Sequence, residues 1–83
     1  MDYSDWAMEY EESSRRLADR AAECRAKMKE TRSYGEKHEY RERARRLDYY
    51  SREHAKIAFT LRERHAEIER RMECHSARQS SRK

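Results

Sequence analysis

The stretch YRERARRLDYYSREHAKIAFTLRERHAEIERRMECH, residues 40–75, decides the fold. Its apolar, small and histidine residues recur at alternating steps of four and three. These positions, called the inner stripe below, are Tyr40, Ala44, Leu47, Ser51, His54, Ala58, Leu61, His65, Ile68, Met72 and His75. A mean spacing of 3.5 residues is the repeat of a long helix that packs lengthwise on another helix. The stretch therefore predicts a long helix with one inward side.

A weaker repeat of the same kind precedes this helix. Its apolar positions are Tyr3, Trp6, Tyr10, Leu17, Ala21, Cys24 and Met28. Only Ser13 and Ser14 bridge the gap between Tyr10 and Leu17. Asp2 or Ser4 can cap the first turn by accepting a backbone N–H. We expect a first helix over about residues 4–33.

The break between the two helices is predicted at about residues 33–36. Gly35 is the only glycine, and glycine is favoured in the left-handed position just after a helix. Ser33 and Glu36 have the spacing of a capping box, which marks a helix start. The second repeat also begins out of phase with the first. We therefore expect a second helix over about residues 36–77 and a frayed basic tail over residues 78–83.

A short connection makes two helices antiparallel neighbours. The predicted fold class is all-α, a coiled-coil-like two-helix antiparallel hairpin forming a single domain over residues 1–83. The acidic first turns would then lie near basic residues of the second helix, around Arg62. A three-helix bundle with a further turn near Asp48–Ser51 is the alternative, but the unbroken inner stripe disfavours it. Charge pairs are also expected along each helix, including Glu11–Arg15, Asp48–Arg52 and Glu67–Arg71.

The composition fits a charged, helical interaction protein. Of the 83 residues, 35% are hydrophobic and 46% charged, and the formal net charge is +4. No apolar run is long enough for a membrane span. Two cysteines are too few for a disulfide scaffold, which favours a reducing, cytoplasmic location. Cys24 is expected in the core and Cys74 as a partly exposed thiol.

Two amphipathic helices leave apolar surface uncovered, so we expect self-association, most simply a dimer that forms a four-helix bundle. The candidate self-association residues are Trp6, Tyr10, Leu17, Leu47, His54, Ile57, Leu61, His65, Ile68 and Met72. A second candidate surface combines basic and aromatic residues at steps of four and three on the outer side of the second helix. This basic-aromatic stripe consists of Arg41, Arg45, Tyr49, Arg52, Lys56 and Phe59.

Three functions remain open from the sequence. The first is a non-enzymatic adaptor or regulatory module that binds itself and another protein. The second is nucleic-acid binding by the basic-aromatic stripe, since basic grooves with aromatic residues bind phosphates and stack bases. The third is a small inhibitor that docks on a larger protein machine. The sequence contains none of the common catalytic or nucleotide-binding motifs, so an enzyme is not expected.

No cofactor or metal is expected. His54 and His65 lie three helical turns apart, about 16 Å along the axis, so one helix cannot bring both to one ion. A symmetric dimer that brings copies of these histidines together is the only route to a metal site. These histidines are better explained as polar residues that fix the packing register.

The size and the hairpin resemble the small helical-hairpin proteins exported by type VII secretion systems, including the WXG family. That family carries Trp-x-Gly in the turn, whereas here the turn reads Ser33-Tyr34-Gly35 and the only tryptophan is Trp6. The Tyr49–Glu53 spacing resembles the family's export signal but falls within a helix. The resemblance is one of shape.

Overall fold

The computed structural model describes the backbone of residues 2–81 and the side chains of residues 2–74. It consists of two α-helices, α1 over Tyr3–Glu30 and α2 over Tyr34–Ser81, joined by residues 31–33. The helices lie side by side along a molecule about 76 Å long. The predicted all-α hairpin is confirmed. The alternative with a third helix is wrong, because α2 continues through residues 48–51.

Helix α1 begins at a capping box formed by two aspartates. The Asp2 carboxylate accepts the Asp5 backbone N–H at 2.9 Å, and the Asp5 carboxylate accepts the Asp2 N–H at 3.4 Å. The hydrogen bond from Asp5 lowers the pKa of Asp2, because it stabilises the charged carboxylate. Of the two expected caps, Asp2 is therefore the one used.

The turn reverses the chain without a left-handed residue. Thr31 has extended backbone dihedrals (φ −78°, ψ 145°), and no described residue has a positive φ. The predicted left-handed role of Gly35 is wrong, because Gly35 already lies in the first turn of α2. Ser33 caps that helix, and its Oγ accepts the Glu36 N–H at 3.3 Å. The Glu36 carboxylate does not close the expected box but accepts the Thr31 hydroxyl at 2.5 Å.

The helix boundaries shift from those predicted as a result. Helix α1 ends at Glu30, and α2 starts at Tyr34 and continues to Ser81, beyond the expected end near residue 77. Of the expected frayed tail over residues 78–83, the backbone of residues 78–81 is helical. The side chains of the whole tail and of His75 lie outside the described part. Met1, Arg82 and Lys83 lie outside the described backbone.

Small residues occupy the line where the helices meet. The buried residues among those described are Ala7, Ala21, Cys24, Ala44 and Ala58. Two of these alanines lie seven residues either side of Ser14, and two lie seven either side of Ser51. Side chains this small allow the two helix axes to approach closely. The core is therefore a narrow line of alanine and serine rather than a cluster of large side chains.

Ser14 and Ser51 fix the register of the hairpin. Each hydroxyl donates to the backbone carbonyl of the other serine at 2.8 Å, and the two Oγ atoms are 3.1 Å apart. In an antiparallel pair this contact places Ala7 opposite Ala58 and Ala21 opposite Ala44. The serines thus satisfy their polar groups at the point of closest approach.

Ion pairs add to this register. Glu67 pairs with Arg71 at 2.8 Å along α2, as predicted. Glu11 and Asp48 instead reach across the hairpin, Glu11 to Arg62 and Asp48 to Arg25, the latter at 2.8 Å. The acidic start of α1 therefore faces basic residues of α2.

Enlarging the line of small residues should destabilise the hairpin. Ala21→Leu inserts three carbon atoms at a fully buried position and forces the helices apart. We expect a loss of about 1–3 kcal/mol in the free energy of unfolding, measured by denaturant titration with circular dichroism at fixed protein concentration.

Ala22→Leu is the matched control, because Ala22 is the next residue of the same helix and is exposed. This control should change stability by less than about 0.5 kcal/mol. Equal effects of the two substitutions would contradict the proposed close contact.

Candidate interaction surface

The hairpin has two broad sides, and one of them carries a contiguous group of large apolar side chains that are partly exposed. A groove on this side is lined by Trp6 and Tyr10 of α1 and by Ile57 and Leu61 of α2. A second depression continues it toward the open end of the hairpin, lined by Tyr3, Trp6, Ile68 and Met72 among others. This apolar face consists of Tyr3, Trp6, Tyr10, Ile57, Leu61, Ile68 and Met72.

The apolar face is exposed because two helices cannot cover each other's full apolar width. Trp6 is 44% exposed, Ile57 39%, Ile68 43% and Met72 65%. The close contact between the helices uses small residues, the alanines, the serines and Cys24, so the larger side chains remain at the edge of the contact. A contiguous group of this kind usually marks a surface that binds another molecule.

His54 lies half-buried beside the groove and is held from two sides. A hydrogen bond of 2.8 Å joins its Nδ1 to the Ser13 hydroxyl. Its ring packs edge-to-face against the Tyr10 ring, with the two ring centroids 5.3 Å apart. Both partners are on α1, so His54 contributes to the register, as the sequence suggested. His65 is also half-buried, and its Nε2 lies 3.0 Å from the Glu69 carboxylate of the next turn.

Cross-helix ion pairs lie on the opposite side of the hairpin. Glu11 directly follows Tyr10 and Arg62 directly follows Leu61, and successive helix residues point about 100° apart. The Glu11–Arg62 pair therefore lies away from the apolar face. The guanidinium of Arg62 donates two hydrogen bonds to Glu11 and lowers the pKa of that carboxyl, while the carboxylate raises the pKa of Arg62.

The predicted self-association residues divide into two groups. Six of the ten belong to the apolar face, and His54 and His65 lie beside it. Leu17 and Leu47 are half-buried nearer the turn, outside both depressions. The structure brings the six residues of the apolar face and the two histidines together toward the open end of the hairpin. Their role in self-association stays a prediction.

Several residues of this surface were not predicted from sequence. Charged side chains flank the groove, Glu9, Glu12 and Arg16 on the α1 side and Glu53, Lys56 and Arg64 on the α2 side. Lys56 was predicted, but as part of the basic-aromatic stripe. The other five looked like ordinary solvated positions because they fall outside both apolar repeats. Four of the six lie three or four residues from Trp6, Ser13, Ile57 or Leu61 on the same helix, whereas Glu12 and Lys56 directly precede Ser13 and Ile57.

The basic-aromatic stripe is exposed along its whole length. Phe59 is 67% exposed and Tyr49 is 54% exposed. Acidic residues interrupt the positive charge, because Glu42 lies 3.4 Å from Arg45 and Glu53 lies 3.3 Å from Lys56. The stripe therefore offers two aromatic groups to a partner but a weaker positive field than its arginines suggest.

Other kinds of site find little support in the described part of the chain. Among the described residues, no group of histidine, cysteine and acidic side chains is arranged to hold a metal ion. Cys24 is buried, Cys74 is exposed, and both are free thiols. Neither helix has, over the residues described, an apolar stretch long enough to cross a membrane.

Comparison with known proteins gave no relative: no family model matches the chain, and neither a curated protein nor a solved structure is similar to it. The resemblance of shape to the type VII secretion hairpins therefore does not become a family assignment.

The Glu11–Arg62 pair should make stability depend on pH. The folded-state pKa of Glu11 lies below its ordinary value of 4.5, so the pair stabilises the fold above that pH. The contribution is lost as the pH falls through the lowered pKa. Glu11→Gln should therefore flatten the acid limb of the stability curve, measured by unfolding at a series of pH values.

Glu23→Gln is the control, because Glu23 is exposed, lies outside the groove and takes no part in the ion pairs found among the described residues. It should leave the acid limb as steep as in the unmodified chain. An acid limb that Glu11→Gln does not change would show that the cross-helix pair contributes nothing in solution.

Proposed function

We propose that this chain is a non-enzymatic helical interaction module that self-associates through its apolar face. Self-association would bury the apolar face in a four-helix bundle and leave the basic-aromatic stripe outward for a further partner. The observation that supports this most directly is the one-sided exposure of Trp6, Ile57, Ile68 and Met72, while ion pairs close the other side.

A second copy of the hairpin can cover this face by completing a four-helix bundle. Two helices with wide apolar stripes reach a closed core when a second pair packs on them, as in four-helix bundles. The same face on both copies gives a self-complementary contact around a two-fold axis. The two free thiols agree with a reducing environment, and a cytoplasmic location is part of this proposal.

The solution mass tests the proposal directly. Light scattering on a sizing column at micromolar concentration should give a dimer, or a higher even assembly. Ile57→Asp places an unpaired charge in the middle of the groove and should convert the protein to a monomer with helicity largely retained.

Phe59→Asp is the comparison variant, because it removes a more exposed apolar side chain from the outer side of the same helix. It should leave the assembly intact, which would distinguish association through the apolar face from non-specific hydrophobic association. A folded monomer in the unmodified protein would contradict self-association. The apolar face would then be the docking site for helices of another protein, as in an inhibitor or regulator.

Nucleic-acid binding is the second candidate, favoured by the exposure of Tyr49 and Phe59 between basic side chains. Base stacking needs such aromatic rings, and phosphate contacts need cations beside them. Glu42 and Glu53 weaken this reading, since they partly neutralise Arg45 and Lys56. Protein binding through the stripe is therefore preferred.

The two uses of the stripe differ in their response to salt. If the stripe binds single-stranded nucleic acid, affinity should fall steeply as salt rises, and Arg45→Glu with Arg52→Glu should abolish binding with helicity unchanged. Fluorescence anisotropy of a labelled oligonucleotide measures both. Absence of binding at low salt rejects the second candidate, and binding that survives the double change assigns it to another surface.

A further inference from the structure

The apolar face has charged edges, and their order says how a second copy would lie on it. On the α1 edge, passing from the open end toward the turn, the order is Glu9, Glu12, Arg16. On the α2 edge, in the same direction, the order is Arg64, Lys56, Glu53. Both series flank the same pair of groove residues, Ile57 and Leu61. The α1 edge therefore runs acidic, acidic, basic, and the α2 edge runs basic, basic, acidic.

Two arrangements can bring two such faces together. A two-fold axis parallel to the helices lays α1 of one copy on α2 of the other, with both turns at the same end. A two-fold axis perpendicular to the helices lays α1 on α1 and α2 on α2, with the turns at opposite ends. Both arrangements bury the groove, so apolar contact alone does not choose between them.

The edge charges favour the first arrangement. With the turns at the same end, Glu9 and Glu12 of one copy lie near Arg64 and Lys56 of the other, and Arg16 lies near Glu53. In the register set by the Ser14–Ser51 contact, Glu12 and Lys56 lie three residues apart along the axis and Arg16 and Glu53 four, about one helical turn. Glu9 and Arg64 lie eight residues apart, about 12 Å. That is the same offset that the side chains of Glu11 and Arg62 bridge within one copy.

The second arrangement brings like charges together. Lys56 and Arg64 lie four residues either side of Thr60, at the middle of the groove. A perpendicular axis through this level would set Lys56 of one copy against Arg64 of the other. Like charges placed opposite one another select against such a pairing.

We propose that the apolar face binds a second copy of this chain whose turn lies at the same end, with each α1 packed on the other copy's α2. The inference rests on the proposed self-association and adds the partner's orientation to it. Charged edges of this kind act in partner selection much as the e and g positions of a coiled coil do.

Charge reversal tests the orientation. Glu9→Arg or Arg64→Glu, made separately, creates two like-charge contacts in each dimer. We expect each to raise the dissociation constant about tenfold at low ionic strength, measured by sedimentation equilibrium. Mixing the two variants should restore affinity close to that of the unmodified dimer, because each reversed charge then meets an opposite one.

Matched controls separate this effect from net charge. Glu63→Arg and Arg70→Glu make the same charge changes at exposed positions that do not line the groove. They should leave the dissociation constant within about twofold, and circular dichroism should show all four variants folded. A tighter dimer of Arg64→Glu would overturn the proposal, because the opposite-end arrangement predicts it. Failure of the mixture to recover affinity would overturn it as well.

Cys74 gives an independent measurement of the same orientation. In a Cys24→Ala background, a spin label on the exposed Cys74 thiol should give a label-to-label distance below about 30 Å if the turns share an end. Because Cys74 lies 13 residues beyond Leu61, an opposite-end dimer would separate the labels by more than about 40 Å. A monomeric unmodified chain would reject self-association itself, whereas a dimer with the long distance would reject only the orientation.

Discussion

The rest of the structure depends on the reciprocal hydrogen bonds between Ser14 and Ser51. Each hydroxyl donates to the other helix's backbone at 2.8 Å, which requires the two helices to lie very close at that point. The alanines seven residues away on each side keep the helices close along most of α1. Large side chains cannot enter this line of contact, so they lie beside it. The exposed apolar face is the direct result of a core made of small residues.

The two sides of the hairpin differ for the same reason. On one side the cross-helix pairs Glu11–Arg62 and Arg25–Asp48 close the edges with charge, and on the other side aromatic and aliphatic groups line an open groove. An isolated hairpin of this composition buries little apolar surface, and exposed ion pairs add only modestly to its stability. Association through the open side would supply the missing burial, which connects the stability of the fold with its proposed function.

The sequence predicts the fold well but the surface only in part. The alternating four and three spacing of the inner stripe identified α2 and its inward side, because such a repeat has few other structural explanations. The turn was predicted at residues 33–36 but lies at residues 31–33, because Gly35 suggested a left-handed position. In the structure the hydroxyls of Thr31 and Ser33 make the hydrogen bonds of the turn. The Ser13–Ser14 gap looked like the weakest part of α1. It proved to be the part with polar contacts to α2, because in a close helix pair serine is favoured by its size.

The sequence placed the acidic start of α1 near Arg62, but it could not identify the individual cross-helix ion pairs. Glu11 has a suitable arginine four residues away as well as one on α2, and only the register decides between them. The edge charges beside the groove carried even less information, since a solvated acidic residue and an acidic residue at an interface look the same in one sequence.

The three-residue connection has a consequence for how the hairpin folds and opens. Because residues 31–33 close the shortest loop, the contacts nearest the turn cost the least chain entropy and can form first, and pairing then proceeds toward Tyr3. The open end, which carries the apolar face, is thus the last part to close and has the lowest free energy of local opening. Amide exchange should be fastest there in the isolated chain. A partner that occupies this end would hold the two helices together where the covalent connection is most distant.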